Sequence, residues 1–337
     1  MSRPLISVRD LTVQFRTDEG LVTAVDGVSF ELKDGEVLGL VGGSGSGKSV
    51  TAKSLMQLNA SNTVYGSESR ITLRDDENGG EIDVLSLTKA RDLKAIRGGA
   101  ISMIFQEPMA SFAPAITIGD QMVEQLLLHS SMSKREASTF SVEMLNRVGI
   151  SDARQRFDQY AFELSGGMRQ RAMIAMALST RPRLLIADEP TTALDVTIQA
   201  QVLDLMKDII SEFGMAILLI THDLGVIAQT ADRVAVMYLG KIVETGSVRQ
   251  IIRAPEHPYT KGLLNALPDL DDLGAPLTPV AGDIPSPLER PSGCVFHTRC
   301  PQIIEGRCDA ALPEAVNLGA GHIVSCFAVP PPVETSV

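Results

Sequence analysis

Cysteine is missing from the first 293 residues of this 337-residue sequence, and all four cysteines fall in the last 44. Tryptophan is absent, and aromatic residues make up only 4%. Basic residues are in deficit, 30 Lys and Arg against 41 Asp and Glu, which leaves a net charge of −11. A dominant nucleic-acid surface is thereby excluded, because phosphate backbones are held by clustered cations. Long hydrophobic runs are lacking too, since a stretch such as MAILLI (215–220) is far too short to span a bilayer. The opening MSRPLISVRD has no apolar stretch of the kind that directs secretion, so a soluble, cytoplasmic protein is expected. In that compartment disulfides are rare, and clustered cysteines point to metal or redox chemistry.

Proline is scarce until late. Five of the 18 prolines precede residue 254 and thirteen follow it, which divides the sequence into residues 1–250 and 251–337. The first part alternates short apolar runs with longer helical segments, the pattern of an α/β domain with a largely parallel sheet. ISVRDLTVQF (6–15) alternates like a half-buried strand, whereas VLGLVG (37–42), LLIAD (184–188) and AILLIT (216–221) are continuous runs suited to buried strands. VAVMYLGKIVETG (234–246) reads as a hairpin turning at Leu239-Gly240. Residues 107–165 read as a helical insertion, with a capping box in SKRE (133–136). The Pro- and Gly-rich tail reads as a small loop-rich unit with little core, where a metal staple would be useful.

The string GGSGSGKS (42–49) has the spacing of a phosphate loop between a strand and a helix. Its elements Gly42, Gly43, Ser44, Gly45, Ser46 and Gly47 let the backbone wrap closely, so that N–H groups converge on phosphate oxygens. Lys48 would reach the β- and γ-phosphates of ATP, Ser49 would ligate Mg²⁺, and Val50, next on the helix, would complete the ATP-binding stretch. RLLIADEP (183–190) ends a strand in two carboxylates at the edge where α/β ligands bind. Asp188 would hold Mg²⁺ and Glu189 would act as general base toward water. His222, at the end of LLITH, would bond the γ-phosphate, and the Gln106 amide would reach Mg²⁺ and the attacking water. LSGGMRQR (164–171) opens a helix on Ser165, Gly166 and Gly167, a second anion site suited to ATP bound by another subunit.

Together these strings, with ALD (193–195), resemble the nucleotide-binding subunit of an ABC transporter. The resemblance implies an α/β P-loop NTPase with a RecA-like core, an antiparallel β subdomain, a helical subdomain and a C-terminal cysteine-containing extension. It implies a head-to-tail dimer with two ATPs held between each phosphate loop and the partner's signature. Phe15 resembles the aromatic residue that stacks on adenine, and Asp195 the residue that connects the two sites. Met168 departs from the commoner Gln of the signature, a change frequent in one branch.

That branch is also indicated by QEPMASFAPAITIGDQ (106–121), HPYTKGLLNALP (257–268) and GCVFHTRCP (293–301), which resemble the ATP-binding subunits of oligopeptide/dipeptide importers. The resemblance implies a paralogous second ATPase rather than a homodimer, two membrane-spanning permease subunits, and an extracytoplasmic solute-binding protein. It places the chain on the cytoplasmic face of the bacterial inner membrane, with residues around 107–125 receiving the permease. Branches of that family take up dipeptides, oligopeptides, nickel, glutathione or oligosaccharides, and nothing in the sequence contacts the cargo. An ABC ATPase working in solution, uncoupled from transport, is the rival reading.

The four cysteines Cys294, Cys300, Cys308 and Cys326 are spaced C-x₅-C-x₇-C-x₁₇-C. Four thiolates suit a four-cysteine iron–sulfur cluster or a tetrahedral zinc site, and metal-free thiols are the third possibility. The family resemblance implies a [4Fe–4S] cluster. His297 and His322 could serve as substitute ligands, although isolated histidines in loops are more often solvated side chains.

Overall fold

The computed structural model describes residues 3–76, 79–191, 196–266 and 280–331. In chain order, β1 (Ile6–Thr17) and β2 (Gly20–Leu32) lead to β3 (Val37–Val41), a glycine-rich loop and α1 (Lys48–Ser54). Short strands β4 (Thr63–Tyr65), β5 (Arg70–Asp75) and β6 (Gly80–Asp83) follow, then α2 (Ala90–Ile96) and β7 (Ile101–Ile104). Helices α3 (Pro108–Ser111), α4 (Ile118–His129), α5 (Lys134–Arg147), α6 (Ala153–Phe157) and α7 (Gly166–Ser179) precede β8 (Leu184–Asp188). Next come α8 (Val196–Phe213), β9 (Ala216–Thr221), α9 (Leu224–Thr230), β10 (Arg233–Tyr238) and β11 (Lys241–Ser247). The chain continues through α10 (Val248–Arg253), α11 (Pro258–Asn265), β12 (Val316–Gly319) and β13 (His322–Val324).

These elements form two compact units that are not consecutive stretches of chain. The first comprises Met1–Leu5, Leu32–Glu36 and Ser86–Ile220. Its parallel strands run β7–β8–β9, with Ile101 opposite Leu184 and Leu184 opposite Ala216. Every residue of β7 and β8 is buried, which is why the sequence reads as unbroken apolar runs rather than an alternation. Helices α4, α5 and α7 pack on one another, and α7 lies on β7. Helix α5 starts where the capping box predicts: Ser133 accepts from Glu136 N, and the Glu136 carboxylate accepts from Ser133 N at 2.8 Å.

The second unit comprises Ile6–Glu31, Val37–Leu85 and Thr221–Val337. Here β3 runs parallel to β10, and β10 turns into antiparallel β11 through Leu239 and Gly240. Both turn residues have positive φ, 43° and 81°, as a two-residue hairpin loop that matches strand twist requires. The C-terminal strands extend this layer, β13 pairing with β11 (Glu244 opposite Val324) and β12 with β13. An antiparallel sheet, β2–β1–β5–β6 with β4 on β1, makes up the rest.

The tail therefore has more core than its composition suggests. Phe296 is 1% exposed and packs edge-on against Tyr238 at 5.1 Å between ring centroids, with Tyr259 at 5.3 Å. These rings come from β10, α11 and the cysteine segment, so the apolar surface is pooled across distant parts of the chain.

Candidate functional site

The glycine-rich loop leaves the buried strand β3 and re-enters α1 at Lys48. Its shape is enforced by close backbone approach. A Cβ on Gly42 would lie 2.2 Å from the Met237 carbonyl oxygen, a separation no side chain tolerates. The tip of the β10–β11 hairpin supports the loop, with Gly240 N donating to Ser46 O at 2.9 Å. Lys48, almost fully buried, folds back into the loop: Nζ donates to Gly42 O at 2.7 Å and Gly43 O at 2.9 Å, with Ser46 Oγ at 3.4 Å. Ser44 and Gly45 are exposed, whereas Ser49 and Val50 are half-buried in the first turn of α1. The result is a cradle of backbone amides with one ammonium inside, suited to a polyphosphate anion.

At the end of β8 the carboxylates differ sharply. Asp188 is buried at 3% exposure, while Glu189 is half-exposed and has φ 49°, the left-handed region that a glutamate rarely adopts. Bonds from neighbouring segments hold this kink. Glu189 N donates to Ile220 O at 2.8 Å, and Gln106 Nε2 donates to Glu189 Oε2 at 3.0 Å. Strain of this kind persists only where neighbours over-determine it, and it concentrates at working sites. Gln170 of α7, buried, donates to the Pro190 carbonyl just beyond. No local signal in LSGGMRQR singles out Gln170, because its partner lies 20 residues away.

Ser165 caps α7, its Oγ accepting from Met168 N at 3.3 Å. Ser165 and Gly166 are exposed, Gly167 and Met168 partly so, and a Cβ on Gly166 would meet nothing within 4 Å. The amide end of this fourteen-residue helix therefore faces open space. Phe15 lies half-buried on β1 opposite Thr63, and β1 packs against α1. His222 is exposed at the end of β9, just before Asp223, whose Oδ1 caps α9. Asp195 lies outside the described residues.

The cysteine segments are linked by backbone contacts and by mutual electrostatic influence. Cys294 N donates to Cys308 O at 2.7 Å, and a Cβ on Gly293 would lie 2.4 Å from that same oxygen. Burial pushes the Cys294 thiol up to about 11, opposed by the Phe296 N–H on its sulfur, with Cys308, Cys326 and Cys300 each adding to the rise. Burial likewise raises Cys300 and Cys326, against amide bonds from Gln302 and from Ala328 and Val329. Ile304 N reaches Cys308 Sγ at 3.4 Å, so every sulfur receives a backbone amide. Among the described residues, however, no three His, Cys, Asp or Glu side chains are gathered as a single ion requires.

The two tail histidines differ from their sequence reading. His322 is buried, and its Nε2 lies 2.7 Å from Glu244 Oε1, while His297 Nδ1 lies 2.9 Å from Cys294 O. Glu244 also accepts from Glu256 N and His257 N at 2.8 and 3.0 Å. These bonds seat the start of α11, whose Tyr259 hydroxyl accepts from Gly43 N at 2.8 Å. In the sequence Tyr259 stands out only as part of the HPYT string, since a single hydroxyl carries no motif of its own.

The family described as ABC transporter matches residues 25–192, and the oligopeptide/dipeptide transporter C-terminal region matches residues 243–308. The chain is 49% identical over 323 residues to the oligopeptide transport ATP-binding protein OppD of Salmonella typhimurium, covering 96% of this chain and 93% of that protein. It is 48% identical to the dipeptide transport ATP-binding protein DppD of Bacillus subtilis, covering 96% of this chain and 94% of that protein. Among solved structures, it resembles the dimeric post-hydrolysis state of the ATP-binding cassette MJ0796 bound to ADP and phosphate. There the TM-score is 0.63 at 25% identity, over 72% of this chain and 99% of that one.

Proposed function

The chain belongs to the ABC transporter family, among the ATP-binding subunits of peptide importers, and from that premise we propose how its residues divide the work. It binds and hydrolyses ATP to drive uptake of di- or oligopeptides through a membrane complex. The observation that carries the nucleotide reading is the cradle of residues 42–49 with Lys48 folded inside it. On binding, Lys48 exchanges the Gly42 and Gly43 carbonyls for the β- and γ-phosphates. The Ser49 hydroxyl, the Gln106 amide and the buried Asp188 carboxylate would hold Mg²⁺, which neutralises charge on the phosphates. A carboxylate buried this deeply suits a cation ligand.

Glu189 takes the proton of the attacking water as its oxygen bonds to the γ-phosphorus and the bond to the bridging oxygen breaks. The Gln106 bond and the left-handed kink fix the carboxylate for that role. His222 orients the same water and the γ-phosphate, and Phe15 stacks on the adenine. The open amide end of α7, with Ser165, Gly166, Gly167 and Met168, serves ATP held by a paralogous second ATPase, and Asp195 communicates between the two sites. Two permease subunits and an extracytoplasmic binding protein complete the assembly, with this chain peripheral on the inner face of the membrane. No helix among the described residues is long and apolar enough to cross it.

Glu189→Gln tests this directly in the purified transporter. Hydrolysis should fall about 10²-fold or more, while an ATP-bound dimer accumulates in light scattering. Hydrolysis at the normal rate would remove Glu189 as the base. Stimulation of ATP turnover by labelled di- and oligopeptides with the cognate binding protein tests the cargo, and a response only to nickel, glutathione or oligosaccharides would overturn it.

The four cysteines are proposed to hold a [4Fe–4S] cluster, zinc being the alternative. In support, the other three thiols all influence Cys294, and each sulfur has an amide aimed at it, a pattern that favours thiolate once a cation is present. The lack of a group of three such side chains gathered for a metal among the described residues counts against both metals alike. When bound, the cluster would cross-link the segments around residues 294, 300, 308 and 326. Anaerobic purification with visible absorption and metal analysis decides between iron and zinc. Cys300→Ser should lose the metal, and a colourless, metal-free native protein would reject both.

A further inference from the structure

The hydrogen bond from Gly43 N to the Tyr259 hydroxyl joins two strings 216 residues apart, the glycine-rich loop and HPYT. The hydroxyl is held from beneath. His257 caps α11, its Nδ1 accepting from Tyr259 N at 3.0 Å, and Glu244 fixes the His257 amide. Burial, with Lys261 nearby, lowers the His257 imidazole to about 3, so it stays neutral and keeps its acceptor nitrogen at physiological pH. The ring of Tyr259 is wedged against Tyr238 at 4.7 Å and Phe296 at 5.3 Å. Burial raises the phenol above its ordinary range, so it remains protonated. A rigid, neutral acceptor is thereby presented to one amide of the loop.

Gly43 is thus gripped at both ends, its N–H by Tyr259 and its C=O by Lys48. The two grips differ in permanence. Lys48 has to release Gly43 to reach phosphate, whereas Tyr259, anchored outside the cradle, does not. We propose that Tyr259 is a positioning residue for nucleotide binding, holding the mouth of the phosphate loop in shape while Lys48 changes partners. The role rests on the reading of residues 42–49 as the nucleotide cradle. It also explains the HPYT string physically. A neutral histidine cap presents a hydroxyl to a loop that has lost its internal lysine bond.

Tyr259→Phe keeps the ring and its packing and removes only the oxygen. In the complete transporter, KM for MgATP should rise about three- to tenfold, the effect of one neutral hydrogen bond, with kcat within about twofold. Thermal unfolding should be unchanged within a degree or two, since a merely structural bond would move stability rather than split KM from kcat. Lys48→Ala serves as reference. If it abolishes binding of fluorescent ATP while Tyr259→Phe leaves KM within about 1.5-fold, the positioning role is overturned and the cradle stands. If Lys48→Ala binds ATP normally, the cradle reading itself falls, and the positioning role with it.

Discussion

The glycine-rich loop and the cysteine segment share one structural unit and one architectural device. Each closes on a glycine whose Cβ would collide with a backbone carbonyl, Gly42 at 2.2 Å from Met237 O and Gly293 at 2.4 Å from Cys308 O. What they assemble differs. The loop points its groups inward within eight consecutive residues, 42–49, so local geometry suffices. The cysteine segment spreads its sulfurs over positions 294 to 326, and their surroundings are set by the packing of Phe296, β13 and the 304–308 turn. A contiguous site can be read from its spelling. A dispersed site depends on everything that folds around it.

Paired substitutions separate the two. Gly42→Ala should give the largest effect, weakening ATP binding by about 10²-fold or more while leaving the metal proposed for the tail in place, because a carbonyl cannot yield to the new methyl group. Gly293→Ala should do the opposite, removing the metal proposed for the tail while ATP hydrolysis stays within about threefold of normal. Metal analysis alongside nucleotide titration of both proteins checks this, and loss of both properties in either variant would show that the two regions fold as one.

Next in size is the seat that joins them. His322→Ala strips Glu244 of one partner in a fully buried position, and should cost about 1–3 kcal/mol in urea unfolding. A pH series probes the same seat through His257. Its imidazole is depressed to about 3 when folded, so between pH 3 and 6.5 the unfolded chain binds a proton that the folded chain refuses. Stability should therefore fall as pH drops below 6.5, by up to about 1.4 kcal/mol per unit from this group. His257→Asn, which can still cap α11, should flatten that slope. The smallest effect belongs outside both regions: Ser133→Ala removes the cap of α5 and should cost about 1 kcal/mol without altering ATP turnover.

Much of the fold was legible because its signals are local. Buried strands announce themselves as apolar runs, the α5 start as a Ser–Glu pair, and the 239–240 turn as the gap between two strand patterns. Other features were not legible, for identifiable reasons. Nothing in LLIADEP says that Glu189 is the residue driven to φ 49°, because that follows from Ile220 O and Gln106 closing on it from β9 and the segment after β7. His322 reads as solvated because its partner, Glu244, lies 78 residues away and its burial follows from β13 joining β11. Proline and glycine make the tail look coreless, since its apolar groups pack on β10 and α11 rather than on each other.

The sequence by itself determined the glycine-rich loop, the carboxylate pair at the end of β8, the serine-capped start of α7 and the family to which they belong. Each of these is encoded by neighbours within a few residues, where backbone geometry leaves little choice. Tertiary structure alone decided the kink that aims Glu189, the amides that meet the four sulfurs, and the Tyr259 hydroxyl on Gly43. Those depend on which distant segments share a buried layer, and that is settled by the collective burial of apolar surface, to which no short string gives access.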